Sequence, residues 1–208
     1  MPTFPVDLRT YLGGCAKVEQ QSFYLGEGLQ VQNRTAGGEV IRAGGAARLW
    51  RGALAFYPLR YADARALHAK LNVLAGQGAS FLIGDAKYDA GFEALLSTVD
   101  SQGRLALKGV TEGRELRAGD FVSFGYAGRR ALHQVLESRT ATAGGTMAAV
   151  EVVPPIRPGW AVNAPVTVGS GARCKAVMMP GTLRLGASNI VATLGASFEW
   201  TQTLRENA

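Results

Sequence analysis

The chain has 208 residues, 47% of them hydrophobic and 18% charged, enough apolar material for one or two globular cores, which excludes a disordered polypeptide. Its 27 glycines and 8 prolines lack the three-residue period of collagen and stand between apolar runs, the texture of many short strands and turns. A net charge of +6 invites a nucleic-acid or anionic-membrane partner, but the cationic excess is gentle in both halves and forms no basic tail or block.

From Ala16 to Leu25, β-branched and aromatic residues among polar ones predict a hairpin or a bent strand pair, which Gly26-Glu-Gly28 turns into Leu29 to Asn33. Past the glycine-rich link Ala43-Gly44-Gly45, alternation over Ala47 to Tyr57 puts Trp50, Leu54 and Phe56 on one side of a strand, facing the core. Pro58 closes that strand. Over Tyr61 to Gly76, Ala64, Leu67, Leu71 and Leu74 recur every three or four positions and predict the one helix of the chain. Asp63 suits its first turn and Gly76 or Gly78 its stop, although no Ser, Thr or Asn stands at the cap. Ala79 to Gly84 follows as a short buried strand.

After Gly91 the pattern changes to short strands with frequent turn signals: Ala94 to Val99, Arg104 to Gly109, Asp120 to Phe124, Arg130 to Glu137, Thr146 to Val153, Pro165 to Val168 and Ala172 to Met179. Asp100-Ser-Gln-Gly103 and Ala143-Gly144-Gly145 read as the turns between them. A last alternating strand, Ala196 to Leu204, carries Phe198 and Trp200 on one face and is placed to pair back onto the residues before Gly91. The expected fold is mainly β with one helix, in two domains. Residues 1–90 with 187–208 make a β-sandwich-like first domain carrying the helix (61–76), and residues 91–186 make a second all-β domain, a barrel or a sandwich.

Chemistry-bearing residues are few. Cys15 and Cys174 match no metal or redox spacing and read as small buried apolar residues. His68 on the helix and His133 in a strand have no Cys, Asp or Glu at ligand spacing, and read as surface or satisfied histidines. Asp85 ends a strand and Asp120 opens one; each is either a catalytic acid or, the preferred reading, a side chain bonding turn amides. Gly169-Ser-Gly171 lacks the third glycine and the strand-to-helix setting of a phosphate cradle, so it reads as a loop. Arg114, Arg117, Arg129 and Arg130 lack a groove-reading helix and spaced stacking aromatics, so they read as solvated turn residues. Catalytic, cofactor and metal residues are therefore expected to be none. The N-terminus shows no signal-peptide pattern and no window reaches the roughly 18 apolar residues of a membrane span, so a soluble protein without membrane insertion is expected.

Three phrases in order carry a resemblance: Phe56-Tyr-Pro-Leu59 leading through the helix to Phe81-Leu-Ile-Gly-Asp85; Leu116-Arg-Ala-Gly-Asp-Phe-Val-Ser-Phe124 with Leu132-His-Gln-Val135; and Met147-Ala-Ala-Val-Glu-Val-Val-Pro-Pro-Ile-Arg157. They resemble the distal tail proteins, also described as minor tail proteins, of long-tailed bacteriophages and related tail-like particles. The resemblance spans residues 40–180 and rests on texture and order. It implies a ring of six copies at the end of the tail tube, the first domain forming the ring and the second lying outside it. The implied partners are the tail tube protein, the tail-tip hub protein and further copies of the chain, with DNA passing through the lumen without sequence-specific binding. The implied location is the virion tail, assembled in the host bacterial cytoplasm, with no enzymatic activity. A weak helix cap and a featureless N-terminal segment depart from the family pattern. The competing classes are a carbohydrate-binding β-module, whose platform would be exposed Trp160 or Tyr126, another minor tail-tip component, and a β-rich hydrolase with a carboxylate pair in a cleft.

Overall fold

The computed structural model describes residues 2–13, 17–34, 40–44, 47–85, 91–101, 103–187, 192–193 and 195–206. In chain order the elements are β1 (Val6–Asp7), α1 (Leu8–Leu12), β2 (Val18–Gln21), β3 (Tyr24–Leu25), β4 (Leu29–Arg34), β5 (Val40–Gly44), β6 (Trp50–Phe56), β7 (Leu59–Arg60), α2 (Tyr61–Leu74) and β8 (Phe81–Ile83). There follow β9 (Gly91–Val99), β10 (Leu105–Lys108), β11 (Glu115–Leu116), β12 (Phe121–Tyr126), β13 (Arg129–Val135), β14 (Arg139–Thr140), β15 (Thr146–Val150), β16 (Val152–Val153) and β17 (Pro165–Gly169). The chain closes with β18 (Cys174–Met178), β19 (Ala192–Thr193) and β20 (Ser197–Gln202). The protein is mainly β, with two curled multi-strand sheets.

The first sheet runs β1-β8-β18-β20-β6-β2, with β3 also on β6. Alternation places Trp50, Leu54 and Phe56 in the core at 1 or 2% exposure, as the period of two requires. β20 pairs with β6 from Ser197 to Thr201, so the late strand returns to the first sheet. β2 and β3 lie end to end along β6; Ser22 bridges them, its amide donating to the Ala53 carbonyl and its hydroxyl accepting from the Ala53 amide. This is the bent-strand alternative of the sequence reading. Gly26 to Gly28 then lead into β4, which pairs with β5 as a two-stranded sheet of its own; the sequence reading had taken Ala43-Gly44 as link rather than strand.

Helix α2 buries Ala64, Leu67, Leu71 and Leu74, the four residues its spacing singles out. Its N-cap, Arg60, makes no side-chain capping bond. A second helix, α1, belongs to the N-terminal segment that the sequence reading found featureless, and it corrects the count of one. Five residues are too few for a periodicity signal, yet the Asp7 carboxylate caps it by accepting from the Thr10 amide, and Leu8 and Leu12 are buried.

The second sheet runs β15-β10-β9-β17-β12-β13-β16. The tip of its β12–β13 hairpin is Ala127-Gly128, both at positive φ (43° and 71°), the two-residue turn whose twist matches the flanking strands. Asp100 closes the β9–β10 turn, taking the Arg104 amide at 2.9 Å and its Nε at 2.7 Å. One strand is corrected: β18, which the sequence reading grouped with the second segment, pairs with β8 and β20 in the first sheet. Its buried run Cys174, Lys175 and Ala176 has the texture of either sheet, and only long-range pairing assigns it.

The two sheets meet over aromatic rings. Phe23 contacts Trp50, Phe121 and Trp200 with centroids 5.3, 5.1 and 4.8 Å away, and Trp50 meets Phe121 at 5.2 Å. Phe121 and Leu132, from the second sheet, are thereby part of the first core, and the Trp50 Nε1–H donates to the Leu132 carbonyl at 2.8 Å.

Candidate functional site

His133 stands beside that junction, on β13, 3% exposed. Its ring stacks on Phe124 (centroids 5.4 Å, 16° between planes), and Nδ1 lies 2.7 Å from the Pro154 carbonyl. A carbonyl only accepts, so Nδ1 carries the proton and Nε2 the lone pair. Nε2 is buried without a protein partner. His133 lines a small, half-open cavity of about 20 Å³, room for one water, together with Arg48, Gln202 and Leu204 from beside and within the first sheet and with Tyr126 and Pro154 to Arg157 from the side of the second. Burial outweighs the Pro154 bond, which favours the charged form, and with a smaller contribution from the Arg157 charge lowers the His133 pKa to about 4. The satisfied-histidine reading thus holds for one ring nitrogen; that the other lacks a partner is invisible in a sequence.

A larger cavity of about 360 Å³ opens between α1 and the first sheet, with Leu54, Phe56, Leu82 and Ile83 as apolar wall and Asp7, Arg9, Lys17, Asp85 and Arg173 among its polar lining. Asp7 and Arg173 form an ion pair there. Asp85 lies in this cavity, whereas Asp120 sits in its turn, where its carboxylate accepts from the Arg117 amide at 2.8 Å. The described residues thus place Asp120 as the turn reading expected, and they bring the two aspartates to no common cavity.

The four arginines scatter. Arg114 lies over the Phe92 ring at 5.1 Å, Arg117 pairs with Glu115 at 3.0 Å, and Arg129 pairs with Glu206 at 3.2 Å. Arg129 and Arg130 line an open groove beside the hairpin tip, and the Nε of each is buried without a hydrogen-bond partner, so these two are less solvated than expected. Tyr126 is 6% exposed and Trp160, half-buried, packs against the second core, the place an anchor takes. His68 is partly exposed on α2. Cys174 is a free, fully buried thiol whose pKa is driven up by burial; Cys15 lies outside the described residues. Gly169 ends β17 and Ser170-Gly171 is a turn. No helix among the described residues is long and apolar enough to cross a membrane. Compared with known proteins, the chain matches no protein-family model and no curated protein.

Proposed function

We propose that the protein is a structural subunit of a bacteriophage tail or tail-like particle, a distal tail protein whose copies, six by the resemblance, close into a ring. In this reading the ring joins the tail tube to the tail-tip hub, works without catalysis, and belongs to the virion tail after assembly in the bacterial cytoplasm. One observation carries it best: among the described residues, the first sheet ends on β1 at one side and on β2 with β3 at the other, with no further strand beyond either. Open edges invite pairing with another chain, and a head-to-tail ring covers both edges of every copy at once. The three-phrase resemblance, the mainly β fold and a helix on the first sheet are consistent with it.

The test is the copy number of the purified full chain, by native mass spectrometry and electron microscopy. A closed ring of six is expected. A monomer in every state, including within any particle that contains the protein, overturns the reading.

A further inference from the structure

A hydrogen bond that joins the two sheets lies next to His133 in the chain. Leu132, its neighbour on β13, accepts the Trp50 indole N–H from the first sheet, while Gln202, which lines the same cavity, is held within the first sheet by accepting from the Trp50 amide at 3.1 Å. From the other side Pro154 holds Nδ1, and Ile156 packs on the second core. We propose that His133 is an acid-released latch: with Nε2 unprotonated it keeps the Pro154–Arg157 segment and the sheet junction closed, and a proton from solvent on Nε2 opens them. This inference stands independently of the tail-protein reading.

The argument is one of unmatched charge. Protonation makes both ring nitrogens donors, and the Pro154 carbonyl satisfies only Nδ1. Among the described residues, the charged groups at the cavity are Arg48, from the segment before β6, and Arg157, from the segment after β16; Tyr126, on β12, is the remaining titratable neighbour, and none of them is a carboxylate. An imidazolium there is buried beside the Arg157 guanidinium with one ring N–H lacking a protein acceptor, which is the costly case for a buried charge. Global unfolding is one relief. A smaller one is outward movement of the Pro154–Arg157 segment, which removes one guanidinium and hydrates the ring while both sheets keep their ladders. With the closed-state pKa at about 4 and an ordinary 6.5, acid favours the open form over the closed one by up to about 300-fold.

The chain holds two histidines, so NMR titration of the full-length protein, with the His133 signal assigned by its loss in H133Q, follows His133 alone, and hydrogen exchange of the Trp50 indole N–H reports on the junction. We expect His133 to titrate near pH 4, well below an ordinary histidine, and Trp50 exchange to accelerate in acid while the backbone amides of β9 and β17 stay protected. In H133Q the acceleration should vanish; in R157Q, which keeps the histidine and removes a facing cation, the His133 midpoint and the Trp50 acceleration should move to higher pH together. The same acid dependence in H133Q and wild type, or acceleration that appears only with loss of protection throughout the protein, overturns the proposal. Should H133Q fail to fold, an R157Q midpoint that shifts without the Trp50 acceleration following it overturns it equally.

Discussion

Desolvation keeps the His133 imidazole neutral in the fold down to about pH 4, whereas in the unfolded chain it takes up its proton near 6.5. Between those values the unfolded state binds more protons, so stability is complete above pH 6.5 and declines as pH falls through the window. The shift corresponds to about 3 kcal/mol by pH 4 from this one residue. Urea unfolding of wild type and H133Q at pH 7 and pH 4.5 checks it: the loss of stability on acidification should be smaller in the variant by about 2 to 3 kcal/mol, and equal losses would remove His133 as the cause. Other single positions are fixed by contact rather than charge. A Cβ at Gly52 would collide with the Ser22 carbonyl and press on the Trp200 ring, so β6 approaches its neighbours there as no other residue permits.

Among elements, β20 is central to the first sheet, flanked by β18 and β6, and its Phe198 and Trp200 are each 1% exposed. Trp200→Ala should therefore cost about 3 to 5 kcal/mol, and deletion from Ser197 onward should abolish the cooperative melting of the first core. Calorimetry decides, since an unchanged melting profile after that deletion would mean that β20 contributes no structure. How much of this was legible follows from the range of each signal. The alternation of Trp50, Leu54 and Phe56 and the spacing of Ala64, Leu67, Leu71 and Leu74 are local and read correctly. Helix α1 is too short for periodicity, and its Asp7 cap is one residue among many turn-forming aspartates. β18 reads as a strand but its sheet is set by pairing with Phe81–Ile83, some ninety residues earlier, and with Ala176↔Gln202 across the chain's end. His133 reads in the sequence as a surface or satisfied histidine, whereas its burial and the cavity beside it depend on Arg48, Arg157 and Gln202, three residues distant in sequence.

For the whole molecule, the distribution of cations bears on the proposed ring and on the passage of DNA that the resemblance implies. Counterion release makes each neutralised phosphate contribute about one unit of salt slope, so a dense arginine patch repeated around a ring would hold a duplex instead of passing it. Here Asp7, Asp100, Glu115, Glu137 and Glu206 each pair with an arginine. Such pairs, most of them half-exposed, add little stability, but each cancels the local field that a phosphate would meet. The remaining excess behind the net charge of +6 is spread along the chain. The free protein should accordingly bind duplex DNA weakly, without sequence preference, in the range of roughly 10⁻⁴–10⁻⁶ M typical of non-specific contacts, and lose that binding as salt rises. Fluorescence anisotropy of labelled duplexes of unrelated sequence, titrated from low to physiological salt, measures this. Tight binding that discriminates among those sequences at physiological salt would replace the passive-lumen reading with one in which nucleic acid is the partner the protein recognises.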